Sequence, residues 1–103
     1  MAKRVITYPI VWDINEKEHF KEIIIEIRKR SPYLAEQIKE GVRKNIAIIK
    51  KNPFIFEADR LKIDNDKTYR KFNVIHIRFV YKIENERLIF VRVRYSSCEP
   101  LDY

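Results

Sequence analysis

A chain of 103 residues, 46% hydrophobic and 36% charged, has the makeup of one globular domain around one core, and its single glycine excludes a glycine-rich phosphate loop. No apolar run approaches the ~20 residues that a membrane span needs, the single cysteine excludes an internal disulfide, and Met1-Ala2-Lys3-Arg4 leads into a strand-like run rather than a signal-peptide core, so a cytoplasmic protein without membrane contact is expected. The formal charge of +7 suits a polyanionic partner, an acidic protein, or a surface kept soluble by like-charge repulsion.

Residues 4–10 alternate weakly through Val5, Ile6, Tyr8 and Ile10 and predict a first strand that stops near Pro9, where a missing amide donor suits a strand end. Asp13 is placed to cap a helix over 14–30. Its apolar stripe is Phe20, Ile23, Ile24 and Ile27, while Glu18, Glu22, Glu26 and Arg30 fall four apart on another face, read as solvated and without acid-base chemistry. Ser31-Pro32 opens a second helix, since serine accepts orphan amides and proline fits the first helical position. Ala35, Ile38, Val42, Ile46 and Ile49 form its inner stripe, and Gly41 beside Val42 offers close packing against the first helix. Asn52-Pro53 ends it, making an antiparallel helical hairpin.

Residues 54–67 are the least regular, with Phe54, Ile55, Phe56 and Leu61 expected to anchor the segment to the core and 64–67 to form a turn. Asp64 and Asp66 match the start of a calcium loop, but no glycine stands at its sixth position and Ile75 occupies the place of the bidentate glutamate. Three alternating runs follow, over 69–75, 77–83 and 88–95, rich in β-branched and aromatic residues, with a tight turn at 84–86. Strict alternation sets Ile77, Phe79, Tyr81 and Ile83 against Arg78, Val80 and Lys82, and Ile89, Val91, Val93 and Tyr95 against Leu88, Phe90, Arg92 and Arg94. Burying an unpaired guanidinium costs several kcal/mol, so the arginine face is expected to lie open to water or to an anionic partner. His19, His76 and Cys98 lack metal-ligand spacing, and no metal or cofactor is expected. Any catalysis would rest on Arg, Lys, Tyr or His, which suits stabilisation of phosphate charge.

The order strand, helix, helix and meander resembles the RelE/ParE superfamily, the toxin halves of type II toxin-antitoxin pairs. The residues that carry the likeness are Ser31-Pro32 with Ala35, Asn52-Pro53, the run from Tyr69 to Phe72, Arg78 to Tyr81, and the tail from Val91 to Tyr103. It implies one α+β domain over 1–103: an N-terminal strand, an antiparallel helical hairpin, then a three-stranded antiparallel meander whose open face binds messenger RNA in ribosome-dependent members. Carried over by position, it implies Arg70, Arg78, Tyr95 and Tyr103 as catalytic candidates and Lys62, Lys71, Arg92 and Arg94 as RNA-binding ones, though solvent exposure accounts for Lys62 and Lys71 equally well. The function it implies is inhibition of translation by ribosome-dependent mRNA cleavage. The alternative is a ParE-type inhibitor of DNA gyrase that cleaves no RNA, and a third outcome is an inactive remnant that binds an antitoxin and operator DNA. Related sequences commonly carry histidine where this chain has Tyr95 and arginine where it has Cys98. Tyrosine, with an ordinary pKa near ~10, is a poor base at neutral pH. The implied partners are a cognate antitoxin, which would cover the hairpin or the arginine face and apolar residues such as Phe54 or Leu88, the ribosome with mRNA or else DNA gyrase, and operator DNA only through the antitoxin.

Overall fold

The computed structural model describes residues 7–98 and 102–103. Strand β1 (Ile10–Trp12) leads into helices α1 (Ile14–Arg30) and α2 (Pro32–Lys51), and after an irregular stretch come β2 (Tyr69–Val74), β3 (Ile77–Glu84) and β4 (Arg87–Tyr95), with a short 3-10 turn at Ser96–Cys98. The expected α+β architecture is therefore the observed one. Ser31 makes the hairpin tight: its amide donates to Ile27 to close α1 (2.7 Å), and its hydroxyl accepts from Leu34 to open α2 (3.1 Å). Asp13 caps α1 by accepting from Asn15 and Glu16 at 3.0 and 3.2 Å.

The sheet has the order β1-β4-β3-β2. It is mixed, because β1 runs parallel to β4 beside an otherwise antiparallel meander. The first strand also begins later than alternation predicts. Pro9 precedes it, its carbonyl accepting from Leu88 (2.9 Å), and Tyr8 donates instead to Lys50 at the end of α2 (2.9 Å), while Val5 and Ile6 lie outside the described residues. A proline has no amide for a ladder, so pairing starts only after it.

Both helices cover one face of the sheet. Ile23, Ile27, Ile38 and Ile49 meet Phe72, Phe79, Tyr81, Leu88, Phe90 and Val93 there. Strict alternation misplaces two of these. A bulge between Val80 and Tyr81 pairs Tyr81 with Phe90 but Val80 with Arg92, so Val91 is the extra residue of β4. Leu88 and Phe90 thereby share the core side with Val93 and Tyr95, while Arg87, Ile89, Arg92 and Arg94 face away. Leu88 is fully buried and offers nothing to a partner. Gly41 packs against the sheet and not the first helix: a Cβ there would stand 2.6 Å from Cγ1 of Val74, closer than carbon atoms approach. Phe54 and Ile55 do not anchor their segment, since both are about half exposed at 53% and 52%, whereas Phe56 packs on Phe72 with ring centres 5.6 Å apart. The anchor sequence reasoning missed is Tyr81, whose hydroxyl donates to the Pro53 carbonyl (2.7 Å) inside the core. Burial pushes that phenol well above its ordinary pKa.

Candidate functional site

The helix-free side of the sheet is where the cationic residues gather. Cross-strand register sets Asn73, Arg78 and Arg94 in one row, Lys71, Val80 and Arg92 in the next, and Tyr69, Lys82 and Ile89 in a third. This side is only partly open: Arg78 and Val80 are buried, whereas Lys71, Lys82, Arg92 and Arg94 keep partial exposure. Residues 57–59 run along the outer edge of β2, with Asp59 donating its amide to Tyr69 (2.9 Å) and Lys71 donating to Glu57 (3.2 Å). Tyr103 is paired to the same segment, its amide donating to Leu61 (2.9 Å) and its carbonyl accepting from Ile63 (2.5 Å).

Beneath this cover Arg78 is buried, contrary to the expectation from its strand. Its guanidinium donates to Asp59, whose side chain has no exposure at all, and the same carboxylate accepts from the Tyr103 hydroxyl and from the Leu61 amide. The cost of burying the guanidinium is met by a carboxylate nineteen positions upstream, in the segment with the least regular sequence. Arg94 is tied down as well. Its Nη1 donates to Glu16 of α1 and to its own neighbour's carbonyl at Val93, both at 2.7 Å, and Glu16 also accepts from the Val93 amide (3.1 Å). That amide needs a side-chain acceptor because β1 ends at Trp12, where the chain turns into α1. A carboxylate in the first turn of a helix is favoured further by the helix dipole.

The remaining candidates divide between the two sides. Arg70 projects to the helix side, opposite Tyr81, where it lies 4.9 Å over the Phe54 ring and donates to the carbonyls of Lys67 and Phe56 at 2.9 and 3.0 Å. It clamps the irregular segment to the sheet. Tyr95 lies opposite Ile77 and packs against the core, so the sheet separates it from Arg78. Lys62, Lys71, Arg92 and Tyr103 do come together. Lys82, Tyr69, Lys62, Tyr103 and Arg92 alternate cation and ring across the face, with centre distances of 5.4, 4.9, 5.7 and 4.7 Å in that order. Lys71 pairs with Glu57 at 2.8 Å, and this hydrogen bond holds the Glu57 carboxyl below its usual pKa. A hydrogen bond to Glu84 likewise raises the Lys82 ammonium. The side chain of Cys98, aligned with the relatives' arginine, lies outside the described residues.

Such a face is suited to binding by charge and stacking. Strand scission of RNA asks for more: guanidinium groups aimed at a phosphate and a base within reach of the ribose hydroxyl. Arg78 and Tyr103 are instead committed to one buried carboxylate, and the histidines sit elsewhere, His19 on α1 and His76 in the β2–β3 turn. Two contributors were missing from the sequence reading, Asp59 and Glu16, and each left a signal. Glu16 is the i−4 position of Phe20, on the apolar stripe of α1, where a charge implies a partner. Asp59 closes a short alternation, Phe56-Glu57-Ala58-Asp59, of strand period, which Arg60 and Leu61 then break.

The family described as "ParE toxin of type II toxin-antitoxin system, parDE" matches this chain over residues 10–99. No curated protein matches it in sequence.

Proposed function

The chain belongs to the ParE toxin family of type II toxin-antitoxin systems, and from that premise we propose that it arrests growth by binding DNA gyrase and not by cutting messenger RNA. The observation that supports this reading is the burial of Arg78 against Asp59, with Tyr95 on the opposite side of the sheet. The residues that ribosome-dependent cleavage would call on are thereby spent on holding the fold. In this reading Lys62, Lys71, Lys82, Arg92 and Tyr103 form the contact surface for the target. Arg78 and Asp59 fix the covering segment in place, Arg70 clamps its first turn, and Arg94 ties β4 to α1. The family carries with it a cognate antitoxin as partner, and the basic face is complementary in charge to an acidic surface on the target.

Two assays separate the readings. Purified protein added to DNA gyrase and relaxed plasmid should inhibit supercoiling, and primer extension on transcripts from induced cells should show no new ends. Codon-phased cuts in messenger RNA, with supercoiling untouched, would return the chain to the ribosome-dependent branch.

A further inference from the structure

The two-residue turn between β2 and β3 is built from the wrong residue for its shape. Ile75 has a φ of 55°, in the left-handed region that glycine and asparagine tolerate and that a β-branched side chain resists. Strain of this kind persists where it serves a purpose, and burial in this chain is not that purpose, because Ile75 remains 45% exposed. The side chain stands between two hollows, of about 360 and 310 Å³. The larger has an apolar floor of Ile27, Ile38 and Ile77, each at most 8% exposed. Among the described residues its polar lining is Arg30, Ser31, His76, Tyr95 and Ser97, with no carboxylate. Among the described residues Arg30 makes no ion pair, while its neighbours Arg28 and Lys29 pair with Glu36 and Glu26 on the helix surface.

We propose that Ile75 and the larger hollow are the docking site for an apolar, carboxylate-bearing segment of the antitoxin. Apolar anchors from that segment fill the floor beside Ile75, and a carboxylate meets Arg30. Charge selects this occupant over a second copy of the chain, since two molecules of formal charge +7 would bring like charges together. The site lies at the hairpin tip, away from the face assigned to the target. The proposal rests on membership of the toxin family and not on gyrase as the target, so a negative supercoiling result leaves it standing.

The test uses the full chain and the purified antitoxin encoded beside it. Ile75→Asn suits the left-handed turn and removes the apolar anchor, so it should raise the Tm while weakening antitoxin binding by about tenfold or more. Induced alone, this variant should arrest growth as the parent does, and co-expressed antitoxin should neutralise it poorly. Arg30→Glu should weaken binding similarly, whereas Arg28→Glu, outside the larger hollow, should bind within about twofold of the parent. Unchanged antitoxin affinity in both Ile75→Asn and Arg30→Glu would overturn the proposal. So would a binding loss in Ile75→Asn that comes with a lowered Tm, or loss of growth arrest with antitoxin binding intact.

Discussion

Replacing Asp59 by alanine should cost about 3–5 kcal/mol, a large share of the ~5–15 kcal/mol that holds a domain of this size. Asp59 is buried, with its carboxylate wholly out of contact with solvent, and serves three donors: the Arg78 guanidinium, the Tyr103 hydroxyl and the Leu61 amide. Removing it leaves a guanidinium at 7% exposure without its counter-charge, and the desolvation already spent on that group is no longer offset. Asp59→Asn keeps the shape and part of the hydrogen bonding, so it should fall between alanine and the parent. Urea unfolding followed by circular dichroism measures both. A loss below about 1 kcal/mol for alanine would mean that the guanidinium finds solvent on its own and that the cover over the sheet is loose.

Phe90→Ala should be comparably severe, at about 3–5 kcal/mol. Phe90 is fully buried at the centre of the aromatic cluster, with ring centres 4.3 Å from Trp12, 6.0 Å from Phe72 and 6.2 Å from Tyr81. Its strand is the one that joins β1 to the meander, so the void would open between both sheet neighbours and the helices. Phe90→Leu retains most of the volume and should lose less than half as much. Thermal unfolding of the pair reads the difference. A small loss for alanine would place Phe90 on the outer side of β4, where strict alternation had set it.

Most of the scaffold could be read from the chain because its signals are local. Asp13, Ser31-Pro32 and Asn52-Pro53 mark helix ends by chemistry that involves only a few neighbouring residues, and the observed ends of α1 and α2 coincide with them. The turn of β3 into β4 is equally local: Asn85 and Glu86 take φ of 50° and 60°, the left-handed pair a two-residue hairpin requires. What could not be read was long-range. Pairing β1 with β4 joins residues far apart in the chain, and one bulge at Val91 moved Leu88 and Phe90 across the sheet. The arginine face shows the same limit. Alternation placed Arg78 correctly on the side away from the helices, but its environment was decided by Asp59 and Tyr103, in a segment and a tail whose packing against the sheet is long-range.

That environment supports the proposed function, in which a side chain sealed against a carboxylate holds the surface in place and leaves phosphate chemistry aside. A buried ion pair can be replaced by apolar groups of similar size at little cost in stability. The most direct test is therefore growth arrest on induction of the double variant Asp59→Leu/Arg78→Met, after its fold has been verified by circular dichroism and unfolding. If Arg78 serves only to hold the covering segment, the folded double variant arrests growth as the parent does. A folded double variant that no longer arrests growth would contradict the reading that Arg78 serves only to hold the covering segment.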